Sequence, residues 1–186
     1  TPLASNAELT FQNVDNAYLW GVEFEVRKSL SGISERLKNF KASANFSYVY
    51  SRSDIDSLEY AIISEVNPDF KPYRPFQGQS PYLANASLIY SNDSLGLDLN
   101  LGLNYFSNRL TEVSLFGTPD IYEKGRMMLS FNVSKSLGKY LSMRFGVSNL
   151  LDAAFNKVLN YKGSEYIYRS YLMGRTYKLS IQYSIN

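Results

Sequence analysis

The chain is expected to be all-β: about eight antiparallel, up-and-down strands forming a segment of a transmembrane β-barrel wall. Three observations predict this. Apolar and aromatic residues recur at every second position, the period of a strand with one apolar face. Most of these stretches run to ten residues or more, whereas soluble strands peak near about five or six and tilted membrane strands need about nine to eleven. Short and long connections alternate along the chain, the habit of a barrel with short inner turns and long outer loops.

The strands are expected at 6–13, 17–30, 38–52, 80–91, 95–107, 125–136, 140–151 and 173–185. Over 40–51, Phe40, Ala42, Ala44, Phe46, Tyr48 and Tyr50 alternate with Lys41, Ser43, Asn45, Ser47, Val49 and Ser51. Over 95–105, Leu95, Leu97, Leu99, Leu101, Leu103 and Tyr105 alternate with Gly96, Asp98, Asn100, Gly102 and Asn104. The segments 31–37, 92–94 and 137–139 read as short turns, with Ser, Gly, Asn and Asp supplying the turn chemistry. The segments 53–79, 108–124 and 152–172 read as long loops. Only the link from 13 to 17 is short on the outer side. The strand 173–185 then runs inward and ends at the periplasm.

Alternation assigns the faces. The lipid side takes Tyr18, Trp20, Val22, Phe24 and Val26, then Phe46, Tyr82, Leu88, Leu99, Leu101, Phe131, Phe145, Leu179 and Ile181. Aromatics gather near stripe ends, where half-wet rings suit a membrane interface. A mid-bilayer Arg or Lys on that side costs about 2–4 kcal/mol, and none falls there. Lys28 and Lys135 share the lipid parity but sit at strand ends, where a long side chain can snorkel. The reverse face carries Glu23, Glu25, Arg27, Asn85, Ser87, Asp98, Asn100, Asn104, Ser130, Asn132, Arg144, Lys178 and Gln182.

Composition narrows the function classes. The 186 residues include no Cys and no His, and the net charge is +2 without a basic run, which disfavours nucleic acid. Aromatic content is 15%, which fits interfacial girdles and equally a Tyr-rich soluble sandwich or carbohydrate-binding module. Mean hydropathy is −0.25 and no run approaches the ~20 apolar residues of a membrane helix. No leader pattern opens the chain, so a signal peptide has been removed or residue 1 is an internal cut. Without His or Cys there is no Ser-His-Asp triad, Cys nucleophile or His-ligated zinc, so no catalysis and no cofactor are expected.

Glu23 and Glu25 stand two apart on one strand face, about 7 Å. That separation is above the spacing of retaining glycosidases and near the lower edge of the inverting range, and the pair reads as a lumen-wall charge ladder with Arg27. Asp54, Asp56, Glu59, Glu65 and Asp69 form an acidic loop without the spacing of a calcium loop, and read as solvated. The long segments also hold aromatics and arginines: Tyr73, Arg74, Phe76, Phe116, Tyr122, Tyr166, Tyr168 and Arg169. Such side chains anchor ligands or pack loop on loop, and both readings stand.

Five segments resemble the C-terminal barrel strands of TonB-dependent outer-membrane receptors: Asn16–Leu30 with its Gly21-Val22-Glu23-Phe24-Glu25, Gly78–Tyr90, Pro119–Arg126, Val147-Ser148-Asn149-Leu150-Leu151-Asp152 and Gly174–Tyr183. They occur in family order across almost the whole chain. The resemblance implies that residues 1–186 are the C-terminal part of a 22-stranded barrel with a plugged lumen, the plug and N-terminal strands lying elsewhere. It implies energised uptake of a scarce ligand: a siderophore–metal complex, an oligosaccharide or a peptide. The implied partners are outer-membrane lipid, the plug, the TonB energy-transducing complex and the barrel-assembly machinery, in a Gram-negative cell outer membrane. The family usually ends on an aromatic residue, whereas here the end reads Tyr183-Ser184-Ile185-Asn186. Two rivals are a complete eight-stranded adhesin or anchor and a soluble carbohydrate-binding β-sandwich. The first needs an interior filled by side chains, yet the inner face is rich in Ser, Asn and Gly.

Overall fold

The computed structural model describes residues 13–68, 70–114 and 118–185. Seven long strands form an antiparallel meander: β1 (Ala17–Ser29), β2 (Phe40–Asp54), β4 (Tyr82–Asn92), β5 (Leu97–Phe106), β8 (Arg126–Leu137), β9 (Leu141–Ser148) and β12 (Thr176–Tyr183), with the two-residue β3 (Tyr73–Arg74) beside β2. The expected strand at 6–13 lies outside the described residues, apart from Asn13. Each long strand pairs antiparallel with its neighbour in this order, so β1 and β12 run the same way. They do not pair, and the sheet is open.

Registers carry the alternation across the sheet. Phe24 faces Phe46, Phe46 faces Ala84 and Ala84 faces Tyr105. Leu88 faces Leu101, Leu101 faces Phe131, and Phe131 faces Val147, which faces Tyr177. A one-residue slip anywhere would turn a strand's apolar side over. The inner-end turns are short. Between β1 and β2 lie two 3-10 turns, Leu30–Gly32 and Glu35–Leu37. Lys135 sends its ammonium to the Leu95 carbonyl in the neighbouring turn, a polar anchor at the end of its stripe.

The outer-end segments are not loops. The stretch read as a loop at 108–124 contains β6 (Arg109–Glu112) and β7 (Ile121–Glu123), and that at 152–172 contains β10 (Ala154–Tyr161) and β11 (Ser164–Leu172). These four form a second sheet in the order β11-β10-β7-β6. The reason is continuity: the arms of the β5/β8 and β9/β12 hairpins break and then resume pairing beyond the break. β6 and β7 are too short to show a period, and β10 and β11 mix polar and apolar residues on both parities. The 53–79 segment contains α1 (Ser57–Val66). Asp56 caps it by accepting from the Leu58 and Glu59 amides at 2.9 and 3.3 Å, and Pro68 follows its end.

The buried hydrophobic residues among those described are Ile63, Phe106, Leu110, Ile121, Val147 and Val158. Most belong to α1 and the outer sheet or to the junction below it. Full burial of one such side chain contributes about 1.5–3 kcal/mol.

Candidate functional site

The polar face of the meander is concave. Two hollows of about 780 and 630 Å³ meet along it and share Asn85 and Ser87. The first is flanked by Glu23, Glu25, Arg27 and Asn45, the second by Asn100, Asn104, Asn132 and Thr176. Across them runs a row of amides. Asn104 Nδ2 donates to Asn85 Oδ1 at 2.6 Å, Asn85 Nδ2 to Asn45 Oδ1 at 3.4 Å, and Asn45 Nδ2 to a Glu23 carboxylate oxygen. A carboxylate accepts only, so Glu23 sets the direction of all three amides. Glu25 pairs instead with Arg27. The adjacent rung is hydroxylic, with Ser43 and Ser87 3.0 Å apart. The two glutamates thus lie on one face, each engaged in the wall's own bonding.

The outer end is pinned by two ion clusters. Arg74 is buried, with its Nε 2.6 Å from Asp120 and its Nη1 2.7 Å from Glu59. Phe70 lies 5.4 Å from the same guanidinium. Burial works against the charge on Arg74, but the bonds to Asp120 and Glu59 hold its pKa above the usual arginine value. The cluster ties α1, β3 and the Asp120 segment together. In the second, buried Glu123 takes Arg109 at 2.7 Å and also Arg126. Burial would favour the neutral acid, yet the two guanidinium groups hold its carboxyl below the usual range. Arg109 and Arg126 both lie over the Phe106 ring, at 4.6 and 4.8 Å. Gly125 lets its own backbone pass close to that of Phe106 and Ser107, since a Cβ there would come within 2.5 Å of the Phe106 carbonyl oxygen.

Beside them is a pocket of about 250 Å³, floored by Pro75, Pro81, Leu110 and Val158 and edged by Arg109, Tyr122, Asn160 and Glu165. Burial first, and the Asp120 charge second, raise the Tyr122 phenol above its ordinary pKa.

The aromatic and arginine candidates separate accordingly. Arg74 turns inward and Tyr122 edges the pocket. Tyr73 lies under the guanidinium of Arg52 at 4.3 Å, and the Phe76 amide donates to the Ser51 hydroxyl at 3.0 Å. Tyr166, Tyr168 and Arg169 are exposed on β11, where Arg169 stands opposite Lys157. Phe116 lies outside the described residues, as does Asp69. The acidic segment is dispersed rather than gathered: Asp56 caps α1, Glu59 binds Arg74 and Asp54 pairs with Arg52 at 3.1 Å. Among the described residues no three acidic side chains could together hold a metal ion.

Sequence reasoning missed Glu59, Arg109, Asp120, Glu123 and Arg126 as interacting groups. One signal was present: Asp56 with Glu59 three residues on, and Pro68 beyond, has the form of a helix start and stop. Two of the resembling segments prove to be one device. Asn149 donates to the Gly174 carbonyl at 2.8 Å, Asp152 accepts from the Gly174 amide at 3.1 Å, and Arg175 reaches the Leu150 carbonyl at 2.9 Å. Asn149 and Asp152 have φ of 55° and 51° and Gly174 has 77°, the left-handed backbone of a sharp kink. This clamp stands where the wall ends and the outer sheet begins.

Residues 1–150 match the family model described as TonB dependent receptor-like, beta-barrel. No curated protein and no solved structure matches the chain.

Proposed function

The chain belongs to the TonB-dependent receptor-like β-barrel family, and from that premise we propose that it is the C-terminal wall of an uptake receptor. The family is one of outer-membrane receptors that transport rather than catalyse. In the intact protein this segment supplies lumen wall and vestibule for a scarce ligand: a siderophore–metal complex, an oligosaccharide or a peptide. A plug in the same protein, driven by the TonB complex, opens the path, and the barrel-assembly machinery inserts the wall.

The two-sided sheet carries this reading. Phe46, Leu88, Leu99, Leu101, Phe131, Phe145, Leu179 and Ile181 share one face, opposite the hollows. Aromatics band that face at two levels. Tyr18, Trp20, Tyr48, Tyr50 and Tyr82 cluster at the outer level, and Phe40 with Tyr90 and Tyr140 with Tyr183 at the inner. Tyr82 to Tyr90 spans about 26 Å along the strand. At a tilt of about 40° that is about 20 Å along the membrane normal, near the ~25 Å apolar band of such barrels. The parallel course of β1 and β12 also means that these seven strands cannot close antiparallel upon themselves.

Fractionation of cells expressing the full-length protein tests the proposal. It is expected in the outer-membrane fraction, released by detergent alone, with a plug encoded upstream. Recovery as a soluble protein without detergent, or a gene lacking a plug, overturns it.

A further inference from the structure

The outer sheet has two edges of different character. Along β6 the edge is covered: the Gly78 amide donates to the Leu110 carbonyl at 2.7 Å and Gln77 reaches the Thr111 carbonyl. Along β11 the other edge has no partner strand among the described residues. Water-facing edges are usually blunted by lysine, proline, bulges or shortness. β11 is nine residues long and contains neither Lys nor Pro; its blunting is limited to Glu165, Arg169 and one bulge, at Tyr168. It presents Tyr166, Ile167, Tyr171 and Leu172, with Ile167 74% and Leu172 68% exposed. A long edge with this many exposed aromatic and aliphatic side chains is a template for another strand.

We propose that the strand closing the barrel on β12 continues outward past the membrane and pairs with β11, as a fifth strand of the outer sheet. The inference rests on the reading of this chain as an arc of a larger barrel. Three observations carry it beyond that reading. First, no strand edge stays open in hydrocarbon, so β12 has a partner. β12 runs the same way as β1, so an antiparallel partner is a further strand that runs outward. Second, that strand leaves the membrane beside Thr176 and meets the outer end of β12, where the Asn149, Asp152 and Arg175 clamp fixes the three-residue link to β11. β11 therefore lies along the strand's path. Third, the exposed apolar side chains of β11 are those a neighbouring strand covers, and the opposite edge shows that this sheet covers its edges where chain is at hand.

Photo-cross-linking in the full-length receptor, in native outer membranes, tests this. p-Benzoylphenylalanine is placed at Leu179 in one variant and at Ile167 in another; both side chains are exposed, so neither replacement disturbs packing. The Leu179 probe is expected to capture a segment of the receptor that precedes residue 1. The Ile167 probe is expected to capture the same strand about twelve residues further along, matching the separation of the two probes, since paired strands advance residue for residue. Suppose Leu179 captures that segment while Ile167 captures another polypeptide, a second receptor copy or nothing. The extension is then overturned and the arc stands. A Leu179 cross-link to residues 1–16 means that the chain closes on itself, and it overturns the arc reading instead.

Discussion

Leu101 and Leu110 stand on the same hairpin arm, one in β5 and the other in β6. Leu101 is 41% exposed on the apolar face of the wall, and Leu110 is 1% exposed within the outer sheet. The wall consists of cross-strand rows with little beneath them, so its apolar side chains rely on lipid for their burial. The outer sheet with α1 has an interior of its own, built like that of a soluble domain from Ile63, Leu110, Ile121 and Val158. It also holds the two clusters of buried charge. A single ribbon thus passes from a part organised by its solvent to a part organised by its contents. The clamp at Asn149 and Gly174 marks the changeover.

That contrast can be broken by separate substitutions. The largest effect is expected from Asp120→Ala, which strands the buried Arg74 with one carboxylate in place of two. Loss of a buried ion-pair partner costs about 3–5 kcal/mol. Residues 57–66 and 109–123 should become accessible to protease in outer-membrane vesicles, while the barrel stays inserted. Simultaneous loss of the barrel would mean that the two regions are not separable. Next, Leu101→Arg should cost about 2–4 kcal/mol at mid-bilayer and lower the yield of folded, heat-modifiable barrel, whereas Leu110→Arg should open the outer sheet alone. Equal effects on assembly would place the two leucines in one environment.

Acidification sharpens the comparison further. The Glu123 carboxyl is held below its ordinary value, so its stabilising effect is fully present above about pH 4.3. It fades as pH falls through the lower folded-state value. Protection of the amides over 109–126 from hydrogen exchange, taken relative to the intrinsic exchange rate at each pH, should fall below about pH 4 and stay flat from about pH 5 to 8. Glu123→Gln should flatten the acid limb. An acid response equally strong in β4 and β5 would contradict a local origin. The smallest effect is expected from Asn85→Ala, which interrupts the amide row on a wet surface. About 1 kcal/mol or less is expected in urea unfolding, and a loss above 3 kcal/mol would show that the row holds the wall together.

The wall was legible because one rule governs it. Each residue such as Leu88 or Phe131 obeys a period of two that the eye can follow for ten positions, and lipid imposes nothing subtler. The outer sheet was not legible, because β6 and β7 are too short to display a period, and β10 and β11 place polar and apolar residues on both parities. Their pairing is inherited from hairpins that begin below the kink. The Pro119–Arg126 segment could be matched as a pattern. That Asp120 and Glu123 point into two different clusters follows only once β7 is set between β6 and β10. The Asn45, Asn85 and Asn104 row was visible as polarity, but its connection depends on register, which no single strand records.

The row of amides has one more consequence. Turning every side-chain amide over yields a second arrangement with the same connectivity, so a row of asparagines alone is symmetric between two states. Glu23 removes that symmetry, because its carboxylate cannot donate. The carboxylate on β1 therefore decides which way the amide of Asn104, three strands away, is turned, and Glu23→Gln would restore the symmetry without removing a single contact.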